Sequence, residues 1–148
     1  MKLDAGFTLI EILITMAILG LVAAMAVPSY TAYLDKTNAA DVASDFAAIE
    51  LKLETYFAAH GQYPATLVAV GKDQDDPWGN ALQYLDMASE SGDTNKRKNA
   101  SSQPINTDYD LYSKGPDGLS ALSVTATISL DDVIRADNGG YIGIAEDY

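Results

Sequence analysis

From Phe7 to Val27 the chain is apolar at nearly every position, and Glu11 is the single charge. At about 1.5 Å rise per residue such a run makes a helix of roughly 30 Å, one bilayer hydrocarbon thickness. It is apolar all round, as a membrane or bundle-core helix must be. Pro28 closes the run; it lacks an amide donor and crowds the preceding turn, which predicts a kink. Tyr30 and Tyr33 follow, at the depth where aromatic rings favour the membrane–water boundary. Then the pattern changes. Val42, Phe46, Ile49, Leu53, Tyr56 and Phe57 recur at helical spacing, while Asp41, Asp45, Glu50, Lys52 and Glu54 fall mostly on other faces. The two halves predict one long helix over 7–60, its second half packed on a globular domain. His60-Gly61 stops it, since glycine readily takes the left-handed conformation that ends helices.

Downstream the periods are short. A turn of helix is expected near Leu67–Val70, and Asp75 to Asn80, with Pro77 and Gly79, is rich in turn residues. Strands are expected at Leu82–Leu85, Asp110–Ser113, Ser123–Ser129 and Tyr141–Ile144. Residues 88–107 are polar and predict a long exposed loop, and Lys114 to Gly118 a turn. The expected fold is α+β: a long amino-terminal helix packed on a small antiparallel sheet within a loop-rich domain over 61–148.

The chain has 148 residues, enough for one small domain plus an appendage. Its net charge of -12 argues against a nucleic-acid partner, because phosphate binding needs Lys and Arg. There are no cysteines, so an exported domain must find its stability in a packed helix, a metal or its neighbours. No strand–G-x-S-x-G–helix elbow and no phosphate-cradling glycine loop is present, and the lone His60 lacks a positioned nucleophile. An enzyme is not expected.

Glu11 raises a physical question. A carboxylate one turn into a membrane helix costs several kcal/mol unless it is paired, and the span holds no positive charge. Gly6, then Phe7-Thr8-Leu9-Ile10-Glu11, then the apolar helix resemble the amino-terminal signal of type IV pilins and type II secretion pseudopilins. The resemblance implies cleavage by a prepilin peptidase between Gly6 and Phe7 and methylation of Phe7. Residues 1–6 would be the leader, 7–28 the transmembrane and assembly helix, and 29–60 its amphipathic continuation. Removing the leader takes away Lys2 and Asp4 together, so the charge stays at -12. Glu11 would then face the Phe7 amine of a neighbouring subunit, and Gly20 and Pro28 would be the helix-weakening positions. A competing reading is a secretory signal cut after Ala24-Met25-Ala26. The length of the apolar run and the acidic residue near its start weigh against it.

Further along, G-Q-Y-P, D-P-W-G-N-A-L-Q-Y and Y-D-L-Y-S-K-G-P-D-G resemble the major, G-type pseudopilin. That resemblance implies a homo-oligomeric helical filament that drives type II secretion, with an inner-membrane assembly platform and minor pseudopilins as partners. The subunit would cross the inner membrane once, amino terminus in the cytoplasm, before joining a periplasmic or cell-surface filament. A type IV pilus subunit and a signal-anchored periplasmic binding module are the alternatives. The resemblance also implies a calcium ion in the carboxy-terminal loop, held by Asp117, Asp131, Asp132 and backbone carbonyls near Leu111–Gly115. This chain departs from the pattern in an insert at 119–130 that separates the turn from the acidic pair, and in its tail. Otherwise Asp117 serves its turn and Asp131-Asp132 caps a short helix. Asp75-Asp76 reads as a turn, Trp78 as packing on the helix stripe, and Lys96-Arg97-Lys98 as a solvated basic loop.

Overall fold

The computed structural model describes residues 6–89, 92 and 94–148. The leader residues 1–5, and Glu90, Ser91 and Asp93 of the expected loop, lie outside the described residues. The chain divides into two compact units between Lys36 and Thr37.

One helix, α1 (Leu9–His60), supplies the first unit and the opening of the second. Thr8 caps it. The Thr8 amide and hydroxyl both donate to Glu11 Oε2, at 2.8 and 2.7 Å, and the Glu11 amide donates back to Thr8 Oγ1 at 3.3 Å. This reciprocal capping box satisfies donors that a helix start leaves open. The helix continues through Pro28, and the Ser29 hydroxyl donates to the Met25 carbonyl at 3.2 Å. Every described residue from Gly6 to Leu34 is exposed. Within α1 lies the one stretch among the described residues that is long and apolar enough to cross a membrane.

In the second unit α1 buries Ala39, Val42, Phe46, Ile49 and Leu53. Full burial of each of the larger side chains stabilises the fold by about 1.5–3 kcal/mol. The expected stripe holds as far as Leu53; Tyr56 is half-buried, and Phe57 is exposed and stacks on Tyr63 at 4.7 Å. Gly61 ends the helix at φ 73°, its amide donating to the Phe57 carbonyl.

The sheet is an antiparallel meander of β1 (Gln83–Asp86), β2 (Tyr109–Ser113), β3 (Val133–Ala136) and β4 (Tyr141–Ile144), in that order. Tyr84 faces Leu111, Tyr112 faces Ile134, and Arg135 faces Ile142 across the ladders. Alternation sends Tyr109, Leu111 and Val133 into the core beneath α1, joined by Ile142 and Ile144. The opposite face carries Ile134 and Ala136, which pack with Ile105, Val124 and Ala145 into a second cluster. Both faces are therefore covered, and all four residues of β3 are buried.

Two expectations are corrected here. Ser123–Ser129 is not a strand: it bridges Lys98 at Ser123 and ends in a 3₁₀ turn at Thr127–Ser129. The strand in this region is β3, just beyond. The described part of the 88–107 segment is not simply exposed, since Arg97, Ile105 and Asn106 are buried against the far face of the sheet. By contrast the 3₁₀ turn at Leu67–Val70 lies where it is expected, and Trp78 packs against the core cluster under α1.

Candidate functional site

The sequence singles out two places, the amino-terminal helix and the carboxy-terminal aspartates. At the first, Glu11 is exposed and its carboxylate is held by Thr8. The residue the sequence reading passed over is Thr8, and the signal was there: T-x-x-E opening an apolar run is a capping box. Phe7 precedes the helix, outside regular structure, and is 87% exposed. Gly20 has open space where a side chain would go. Pro28 removes the amide that would have bonded the Ala24 carbonyl, the backbone defect expected of it.

At the second place the aspartates part company. Gly115, at φ 63°, brings the turn so close to Asp131 that an added Cβ would lie 2.4 Å from the Asp131 carbonyl oxygen. The Asp117 amide donates to Asp131 Oδ2 at 3.4 Å, and Asp117 Oδ1 accepts from the Leu119 amide at 2.7 Å. Asp117 is exposed and Asp131 half-exposed. Asp132, the next residue, is fully buried and turns to the other side. Its Oδ2 accepts from Arg97 Nη2 at 2.6 Å and from the Ser120 hydroxyl at 2.6 Å. Burial pushes the Asp132 carboxyl up, against the Ser120 and Arg97 contacts that hold it down.

Arg97 is thus no solvated loop residue. It is 1% exposed and, with Arg135, among the largest of the fully buried side chains. Its guanidinium donates to the Ser120 hydroxyl, to the Ala121 carbonyl at 2.6 Å and to Asp132, and lies 4.2 Å from the centre of the Tyr112 ring. Its backbone amide donates to Asp110 Oδ2 at 2.7 Å, and Asp110 Oδ1 accepts from the Asn106 amide group at 2.9 Å. Burial pushes the Asp110 carboxyl up as well.

These residues fit a calcium ion poorly. Calcium takes six to eight oxygens, and the described residues hold no group of three or more His, Asp or Glu placed to share a metal. Asp132 Oδ1 is buried without a hydrogen-bond partner, a single oxygen rather than a shell of them. The Arg97 guanidinium already sits on the other oxygen of that carboxylate, so the position has a cation of its own.

The remaining candidates are structural. Asp76 organises its turn: Oδ1 accepts from the amides of Trp78 and Asn80, at 3.0 and 2.8 Å, and Oδ2 from the Ser113 hydroxyl at 2.6 Å. His60 stacks on Tyr56, with Nδ1 2.9 Å from the Tyr56 carbonyl oxygen, as suits a helix end. A second buried cation, Arg135, ties α1 to the sheet. It bonds Glu50 at 3.0 Å and Asp108 through both nitrogens, at 2.9 and 2.7 Å, and lies 4.0 Å over the Tyr109 ring.

Comparison with known proteins places the chain. Residues 1–27 match the family model described as the prokaryotic N-terminal methylation motif. The chain is 31% identical over 137 residues to the type II secretion system core protein G of Pseudomonas aeruginosa, covering 78% of this chain and 85% of that protein. To the protein of the same name from Klebsiella pneumoniae it is 27% identical over 141 residues, covering 80% and 89%. To that of Vibrio cholerae it is 29% identical over 106 residues, covering 57% and 73%. No solved structure gives a significant match. At 31% identity over most of both chains, this chain belongs to the type II secretion system core protein G family.

Proposed function

We propose that this chain is a structural subunit of a pseudopilus, processed at Gly6–Phe7 and assembled through α1. One observation carries the reading: all described residues of the first unit up to Leu34 are exposed, although most are large and apolar. Such a surface is stable only in lipid or against other helices. A subunit held in the inner membrane and then drawn into a filament meets both conditions in turn. The partners this implies are the peptidase, an assembly platform, minor pseudopilins and, above all, further copies of the chain. No catalytic role is assigned, and the protein works as a building block.

The methylation motif over residues 1–27 supports processing at the glycine. Mass spectrometry of the protein purified from cells that make the secretion system should show a chain beginning at methylated Phe7. Material sheared from those cells should contain filaments of it. A mature chain beginning at Val27 would overturn the reading, because the assembly helix would be gone.

A further inference from the structure

We propose that Arg97 is the built-in cation of the carboxy-terminal half of the domain, so that this subunit locks its loops without a divalent ion. Three segments distant in sequence converge on the guanidinium. Ser120 and Ala121 come from the insert at 119–130, Asp132 from the start of β3, and Tyr112 from β2. The oxygens are a hydroxyl, a backbone carbonyl and a carboxylate, the donor types a hard cation would gather from loops.

The insert that separates the Gly115–Gly118 turn from Asp131-Asp132 is thereby explained as the strap that wraps the guanidinium. The backbone follows the same path: the Lys98 amide donates to the Leu122 carbonyl, the Val124 amide to the Lys98 carbonyl, and the Ile105 amide to the Arg97 carbonyl. A fixed, planar cation with several donors can hold all three segments at once, and it stays charged at any pH the protein meets. Asp132 is then the counter-ion of an internal arginine. Asp117 and Asp131 are left to shape the turn, with the Asp117 amide on Asp131 and the Leu119 amide on Asp117.

The test uses the full-length protein in detergent micelles and follows melting by circular dichroism, so its outcome does not depend on whether filaments form. For the wild type, the chelator EGTA and then millimolar calcium should leave the melting temperature unchanged. Arg97→Gln and Arg97→Lys should each lower it by several degrees, the lysine variant included because an ammonium cannot span the same oxygens. Ser120→Ala removes one partner and leaves the charge pair, so it should fold and show a smaller loss even if the arginine variants do not fold. A wild-type melting temperature that falls with EGTA and recovers with calcium would overturn the proposal. So would wild-type melting in Ser120→Ala, or in either arginine variant.

Discussion

At the scale of single residues, Glu11 does two things that substitution can separate. Its carboxylate completes the capping box with Thr8, and its charge is unmatched within the helix. Losing a cap costs about 1 kcal/mol, local to the first turn. Losing the charge removes what a neighbour's Phe7 amine would seek in a low-dielectric bundle. Glu11→Gln keeps an oxygen for Thr8 and discards the charge; Glu11→Ala discards both. Both variants should fold beyond residue 36 and stay in the membrane, and both should yield far fewer filaments. If Glu11→Gln assembles as the wild type and Glu11→Ala does not, the cap is what matters and charge pairing does not guide assembly. Glu11 was legible because its local context is anomalous: one charge in an apolar run. Arg97 was not. A basic triplet in a polar loop looks the same whether its middle residue is solvated or swallowed, and its counter-ion stands 35 residues on. Asp132 was misplaced for the same reason. Adjacent aspartates read as a pair, yet Asp131 accepts from the Asp117 amide while Asp132 is buried against Arg97 and Ser120.

At the scale of elements, α1 and the meander differ in how they advertise themselves. A helix of 52 residues repeats its pattern many times, so its extent and its buried stripe were readable. β3 has four residues, buried on both faces, and its alternation includes Arg135, inward-facing and satisfied by Glu50 and Asp108. No polar face marks it, whereas Val124, Thr125, Thr127 and Ile128 offer β-branched residues to a segment that is a strap. Within α1 the weak stretch is Gly20 to Pro28. Glycine costs about 1 kcal/mol and proline about 3 relative to alanine inside a helix. In lipid the helix has to stay satisfied, but in a bundle neighbouring chains can supply partners for freed backbone groups. The expected outcome is helix through Pro28 in the isolated subunit and local unwinding there in the filament. A filament density map tests this directly, and unbroken helical hydrogen bonding from Phe7 to Tyr33 would refute it.

At the scale of the whole molecule, a cluster of tyrosines makes the domain sensitive to base. Tyr109 meets Tyr63 edge-on at 4.9 Å and Tyr84 at 5.8 Å, joining the segment after α1 to β1 and β2. Burial pushes all three phenols up from their ordinary value; for Tyr109 it outweighs the opposing Arg135, and for Tyr63 a hydrogen bond to Glu54 adds to it. Tyr63 counts least, being the more open to solvent. The unfolded chain gives up these protons near pH 10 and the folded chain only above it. Their contribution is therefore complete below pH 10 and is lost as the pH rises through the folded values. Held protonated, the buried Tyr109 phenol costs the fold about 1.4 kcal/mol per pH unit over that window, and the half-buried Tyr84, partly screened by solvent, adds less. Against a typical stability of about 5–15 kcal/mol, unfolding should come within a few units above pH 10. Tyrosinate absorbance should then show a step that coincides with the loss of circular dichroism. If all the absorbance develops near pH 10 with the dichroism intact, the phenols are open to solvent and the cluster is not what holds the domain. Tyr109→Phe sharpens the test. The Tyr109 hydroxyl is buried without a hydrogen-bond partner, so removing it strands no other group. The variant should be as stable as the wild type at neutral pH, or slightly more so, and its alkaline step should move to higher pH.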